Sequence, residues 1–379
     1  MLSKVYKILE QLKEEDGAGV VGHNTAESGD AIGVEGATES DEGYGLYTED
    51  DAHVGGLLSA KQHYTDFAPN GGLSAHANHA TQGQKRLPTP HFERSAENPI
   101  FSADDTNWVT TGEVGHPCIV PAEQIPDAPG DLIMYYAPHD ENGAGVAYAN
   151  HPEGPWTDWG QLSITNSYHG EIGAFWHEEE NEVWAYVNTG NENIKLYRSP
   201  NGLDNWIDDG IVLSTNGGHA GYPKVFRTPA GVYHTTWWKY GEGRSTNILR
   251  YSPDGKSNWV TAEVSFGGSQ PTGSGDPDGD FYHNGVVLLQ YTDGYLGFWE
   301  RQDKPSSQFD IYWGWTRDGI TVGNWGVLLQ GGGQSWEDAH VKDPRPIWWD
   351  GDLVLFYIGG SEGTGQIGVA TADFATLKR

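Results

Sequence analysis

The sequence predicts an all-β fold, a five-bladed β-propeller over residues 89–379, preceded by a short N-terminal helix (1–16) and a Gly-rich oligomeric β stalk with its hinge (17–88). Three observations predict it. A histidine opens each of five similar segments, His116, His169, His219, His283 and His340, at intervals of 53, 50, 64 and 57 residues, about the length of four short strands plus an insertion. Similar turns followed by Trp close most of the segments. Between these ends each segment carries two runs rich in β-branched and aromatic residues, and no window from residue 90 onward sustains a 3.6-residue apolar period.

The first element is helical by pattern. Leu2, Val5, Leu9 and Leu12 follow a 3, 4, 3 spacing, a short heptad seam that Gly17 ends. A helix of this length is marginal alone, so it is expected to dock on copies of itself or on a larger assembly. Residues 17–88 follow, where Gly17, Gly19, Gly22, Gly29, Gly33, Gly36, Gly43, Gly45, Gly55 and Gly56 punctuate short Val, Ile and Tyr pairs. Few side chains there can fill a monomeric core, and such a chain gains stability when neighbouring copies supply the missing apolar surface. The stretch Gly43-Tyr44-Gly45-Leu46-Tyr47-Thr48-Glu49-Asp50-Asp51-Ala52-His53-Val54-Gly55-Gly56 resembles the repeat of trimeric fibre proteins from haloarchaea and their tailed viruses, over Val20 to Ala60. That resemblance implies a homotrimer attached through its N-terminal region to other virion proteins. Pro88 and Pro90 close a Gly-, Ala- and His-rich hinge.

The blade strands are read at Leu132 to Ala137 with Gly145 to Ala149, Glu182 to Val187 with Ile194 to Arg198, Val232 to Trp238 with Ile248 to Tyr251, Tyr295 to Glu300 with Ile311 to Thr316, and Leu353 to Ile358 with Ile367 to Thr371. Ser199-Pro200-Asn201-Gly202-Leu203-Asp204-Asn205-Trp206 and Ser252-Pro253-Asp254-Gly255-Lys256-Ser257-Asn258-Trp259 are near copies. Thr316-Arg317-Asp318-Gly319 leading to Asn324-Trp325 is a third, and His151-Pro152-Glu153-Gly154-Pro155-Trp156 a looser fourth. Pro presets φ and Gly accepts positive φ, so each is a tight turn whose Trp covers the blade edge. His91 to Phe101 is available as a closing strand.

Composition narrows the function classes. Lys and Arg total 22 against 53 Asp and Glu, a net charge of -31 spread along the whole chain. Such a surface repels itself at low salt, and high salt screens that repulsion. The acidic excess and shortage of Lys resemble proteins of extreme halophiles. Nucleic acid is not expected as a partner, since phosphate binding needs clustered cations. No run of about 20 apolar residues predicts membrane insertion, and Met1 to Asp16 carries too many charges for a secretion signal. Cys118, the single cysteine, sits beside Ile119-Val120 and reads as a buried structural thiol. No cofactor is expected, and no His and carboxylate spacing of a known metal-binding type is present.

Asn98-Pro99-Ile100-Phe101 ahead of the first blade, with the Gly-Pro-Trp and Asn-Trp blade ends, is similar to the five-bladed propellers of glycoside hydrolases and their relatives. That resemblance implies three carboxylates on the innermost strands of the first three blades: a base or nucleophile, a residue tuning pKa, and a general acid. Such groups are needed because a glycosidic oxygen must be protonated while the anomeric carbon is attacked. The carry-over is incomplete. The first blade opens on His116-Pro117 with Glu113 as its nearest acid, the second offers Glu171, and the third opens on His219-Ala220-Gly221-Tyr222-Pro223-Lys224 with no carboxylate. Only a pairing of Glu171 with Asp343, in His340-Val341-Lys342-Asp343-Pro344-Arg345, restores an acid and a base.

The residues expected to gather at a ligand-binding hub are His116, His169, Glu171, His219, Tyr222, Lys224, His283, His340, Lys342, Asp343 and Arg345, with Trp237, Trp238 and Trp299 as packing groups or sugar platforms. Two functions compete. The first, favoured by the fibre-like stalk and by the incomplete carboxylate set that argues against an enzyme, is a virion surface or tail-fibre protein of a halophilic virus whose head recognises host cell-surface glycan or glycoprotein. The second is a halophilic glycoside hydrolase acting on a polysaccharide.

Overall fold

The computed structural model describes residues 90–372 except 139–140, 165–169, 190–192, 215–222, 229–230, 241–243, 264, 267–280, 283–285, 292–293, 304–307, 318, 320, 339 and 362. The helix expected over 1–16 and the stalk over 17–88 lie outside the described residues, as do His169, His219, Tyr222 and His283.

Five antiparallel sheets follow one another along the chain. Blade 1 is β2 (Gly115–Pro121), β3 (Leu132–Ala137), β4 (Gly145–Ala149) and β5 (Thr157–Gln161), and blade 2 is β6 (Ile172–His177), β7 (Glu182–Asn188), β8 (Asn193–Ser199) and β9 (Ile207–Ser214). Blade 3 is β10 (Lys224–Thr228), β11 (Gly231–Tyr240), β12 (Arg244–Ser252) and β13 (Val260–Glu263). In blade 4 the long β17 (Gly294–Asp303) pairs with two short inner strands, β15 (Phe281–Tyr282) and β16 (Val287–Tyr291), then with β18 (Gln308–Thr316) and through it β19 (Thr321–Leu329). The short β14 (Ser265–Phe266) joins β19 in parallel. Blade 5 is β20 (Val341–Trp349), β21 (Asp352–Gly359) and β22 (Gln366–Ala372), completed by β1 (Glu93–Arg94) from the other end of the wheel. The all-β, five-bladed expectation is the observed architecture.

Strict alternation explains why the second strands are apolar on both faces. On β3, Ile133, Tyr135 and Ala137 enter a core shared with blade 2, while Leu132, Met134 and Tyr136 enter a core shared with blade 5. On β21, Leu353, Leu355 and Tyr357 face blade 4 and Val354 and Phe356 face blade 1. One apolar core thus fills each of the five gaps between neighbouring blades. Each large side chain buried there contributes about 1.5–3 kcal/mol.

The closing turns of blades 1, 2 and 3 lock each of these blades to the one before. Trp206 of blade 2 packs edge-on against Tyr135 of blade 1 at 6.2 Å, Trp259 of blade 3 against Tyr186 of blade 2 at 6.2 Å, and Trp156 of blade 1 against Phe356 of blade 5 at 6.0 Å. Gly202 and Gly255 take φ of 72° and 67° at the turns, and their carbonyls accept hydrogen bonds from Tyr135 (2.7 Å) and Tyr186 (2.9 Å). A Cβ at Gly255 would lie 2.5 Å from the Tyr186 hydroxyl, so no larger residue fits.

Closure of the wheel uses 92–101. Ser95 donates its N–H to Val369, Ile100 to Ile367, and Asn98 pairs both ways with the Val369 backbone at 2.9 and 2.8 Å. Phe92 and Phe101 enter the cores on either side of blade 5. Glu337, fully buried, receives Arg94 at 2.6 Å and the Tyr357 hydroxyl at 2.8 Å.

Candidate functional site

The innermost strands of blades 1 and 5 open in the same way. His116 precedes Pro117 and Asp343 precedes Pro344, both in the left-handed region with φ of 52° and 50°. A proline cannot donate to the ladder, and in both blades the register shifts across it, between Gly115 and Cys118 and between Lys342 and Arg345. The two side chains meet, with His116 Nδ1 at 3.1 Å from Asp343 Oδ2. Asp343, rather than His340, therefore holds in the last blade the place that His116 holds in the first.

Around this contact lies a buried charged cluster drawn from every blade. Lys224, first residue of β10, makes an ion pair with Asp343, and Arg345 Nη2 stands 3.8 Å from the same carboxylate. Glu171, immediately before β6, accepts the Asn188 side-chain amide at 3.2 Å. Glu300 of β17 accepts the Asp343 backbone N–H at 2.5 Å. None of Glu171, Lys224, Glu300 and Asp343 is more than 2 % exposed. Charges so removed from water are costly unless compensated, and here the compensation is mainly Coulombic, through the contacts of Lys224 and Arg345 with Asp343.

Burial sets the proton affinities. It pushes the Glu300 carboxyl up to about 7, against the opposing pull of Lys224, Lys342 and Arg345. It draws the Lys224 ammonium well below the ordinary lysine value, helped by Arg345, while Glu300 opposes. Arg345 is lowered to about 10 by burial. Cys118 lies between the innermost strands of blades 1 and 2, where its sulfur accepts the Ala174 N–H at 3.1 Å, and burial keeps it a thiol.

Glu300 was not legible as a hub residue, because it sits on the second strand of its blade. It extends the row Leu296, Phe298 that faces blade 5, at a point of β17 between the segments paired with β15 and with β16. A carboxylate ending an otherwise apolar row was the available signal. It supplies from blade 4 the third hub carboxylate that the opening of blade 3 lacks.

The other expected residues are placed as follows. Lys342 is half-buried and exerts its charge on both Glu300 and His340. His340 is half-buried with its ring 5.7 Å from that of Phe309, and burial lowers its proton affinity. Trp299 is buried between blades 3 and 4, stacked on Tyr312, which makes it packing rather than a platform. Trp237 and Trp238 lie on β11. Among the described residues no group of three or more His, Cys, Asp and Glu is placed to hold a metal ion.

Comparison with known proteins gives the fold its neighbours. The sequence matches no protein-family model and no curated protein. Solved glycoside hydrolases share the fold. The catalytic domain of the Coprinopsis cinerea GH62 α-L-arabinofuranosidase aligns with a TM-score of 0.55 at 11% identity, covering 75% of this chain and 97% of that one. A structure described as a glycoside hydrolase aligns at 0.51 and 14% identity, over 76% and 92%. An endo-1,4-β-xylanase from Bacteroides thetaiotaomicron aligns at 0.50 and 10% identity, over 68% and 89%. At such identities the likeness is one of fold.

Proposed function

We propose that the protein is a glycoside hydrolase whose hub cleaves a polysaccharide, with Glu300 as general acid and Glu171 as general base. The observation that carries this reading is the gathering of three carboxyls, Glu171, Glu300 and Asp343, from three blades around the same two cations, Lys224 and Arg345, with one carboxyl raised to about 7. A carboxyl that keeps its proton near neutrality is suited to donate it to a glycosidic oxygen. As the C–O bond breaks, the departing sugar takes the Glu300 proton and leaves as an alcohol. Water attacks the anomeric carbon and gives its proton to Glu171, forming the new hemiacetal. Asp343 positions Glu300 through its backbone N–H and is itself fixed by His116 and Lys224.

A second reading is favoured by the burial of all three carboxyls and by the engagement of Asp343 with three cationic or imidazole groups. In it the propeller binds glycan without turnover, as the head of a trimeric fibre on the virion of a halophilic virus. One experiment separates the two. The full chain in molar salt is incubated with aryl arabinofuranosides and xylosides and with arabinan and xylan, beside Glu171→Gln and Glu300→Gln variants whose fold is checked by circular dichroism. Turnover that both variants lose supports the hydrolase. Glycan binding without turnover, by an elongated trimer in size measurements, supports the second reading.

A further inference from the structure

The guanidinium of Arg345 is the unusual group of the hub. Its side chain is 6% exposed, and neither Nε nor Nη2 has a hydrogen-bond partner among the described residues. The nearest carboxylate oxygen, Asp343 Oδ1, is 3.8 Å from Nη2, close enough for Coulombic attraction and too far for a hydrogen bond. Nε and Nη2 form the side-on edge of the guanidinium, whose two parallel N–H groups match the two oxygens of a carboxylate. A buried donor left unmatched is costly, so an edge kept in this state has the form of a receptor.

The local charge agrees. Lys224 and Asp343 compensate one another. Glu300 is largely neutral below about 7. Arg345 and Lys342 then stand against Glu171 alone, so the hub is locally positive inside a chain of net charge -31. Three of the chain's 22 Lys and Arg, namely Lys224, Lys342 and Arg345, occur at this one place. Lys342 is half-buried and acts electrostatically on Glu300, as Arg345 does, which brings a second cation to the same hub.

We infer that the glycan taken by this hub is acidic, a uronic acid unit whose carboxylate seats on the Nε and Nη2 edge of Arg345 with Lys342 guiding it from the rim. The inference rests on the reading of the hub as a carbohydrate site and adds the substrate class.

The test is calorimetric titration of the full-length Glu300→Gln variant, chosen to suppress turnover, with a galacturonic acid oligosaccharide, its methyl ester and a neutral xylo-oligosaccharide of equal length. The acid form should bind about tenfold more tightly than the ester or the neutral sugar, an advantage that falls as salt rises. Adding Lys342→Gln should weaken binding of the acid form about threefold to tenfold and leave the neutral sugar unchanged. Adding Arg345→Lys, which keeps the charge and loses the fork, should remove most of the preference. Because Arg345 is buried and that variant can fail to fold, the rim variant and the ester stand as independent arms. Equal affinity for acid, ester and neutral sugars overturns the inference while leaving the proposed function standing. Competition by acetate or sulfate with no advantage for the uronate marks a small-anion site and also overturns it. Absence of binding by every sugar removes both readings.

Discussion

His116 and Asp343 begin the first and last innermost strands in the same left-handed backbone conformation, each before a proline, and their side chains touch at 3.1 Å. The contact spans 227 residues of sequence and joins the two blades that close the wheel. Holding two non-glycine residues there costs on the order of 1–3 kcal/mol each, which the surrounding ion pairs and cores must offset.

Removing the Asp343 charge should therefore be expensive. In Asp343→Asn the left-handed backbone is tolerated, so the change removes the carboxylate charge that Lys224, Arg345 and His116 share while keeping the backbone. Breaking a buried pair from one side costs about 3–5 kcal/mol. Urea unfolding should show a drop of that order, with Lys224→Met in the same chain restoring a large part. A single variant within about 0.5 kcal/mol of the wild type would show that the pair is not holding the hub.

Glu300 gives stability a slope with pH. Its folded-state value of about 7 lies above the ordinary 4.5, so between those values the native state holds a proton that the unfolded chain has released. The contribution of this carboxyl is complete below 4.5 and is lost as pH rises through 7, a change on the order of 3 kcal/mol. Burial also lowers the proton affinity of His177 and His340, so the readout is the difference between wild type and Glu300→Gln. That difference in unfolding free energy should fall steadily across the window. A difference independent of pH contradicts the shift.

The tyrosine links between blades predict equal effects at two sites. Tyr135→Phe and Tyr186→Phe each leave the ring in place and remove one hydrogen bond to a turn glycine carbonyl. Each should cost about 1–2 kcal/mol, because the carbonyl loses a buried donor. Thermal unfolding of the two variants should show similar losses. A large loss at one and none at the other would mean that the repeat is not equivalent in energy.

Closure should depend on Glu337. Glu337→Ala removes the buried acceptor shared by Arg94 and the Tyr357 hydroxyl, leaving them only their bonds to the Gln330 carbonyl and the Asn98 amide, and should destabilise by about 2–4 kcal/mol. Hydrogen exchange should show the amides of Ser95, Ile100 and Val369 opening before those of β3 and β7 in this variant. Uniform protection across all five blades would instead make the closing segment one unit with the rest.

Most of the wheel was legible because its blades are written in short-range patterns. The run from Leu132 to Ala137 and that from Gly145 to Ala149 coincide with β3 and β4, and each of the other runs lies inside an observed strand. Alternation over two apolar faces and the Pro-Gly-Trp turns carry that information locally. The hub is different, since its members come one to three to a blade and share no motif across all five. His116 and Asp343 are equivalent through the proline that follows each, a signal hidden by the more conspicuous histidine at 340. Glu300 carries no comparable mark, because the blade starts are where the repeat places polar residues, whereas this side chain reaches the hub from within a long second strand.

The closing strand has a consequence for biosynthesis. Residues 92–101 are translated before every blade, yet their partners on β22 are nearly the last residues of the wheel to be made. Phe92 and Phe101, both destined for cores beside blade 5, must wait unsheltered while about 270 further residues leave the ribosome. The segment of the wheel made first thus cannot complete its pairing until the final strand is made, and at low salt the acidic excess of the chain sets such waiting molecules against one another.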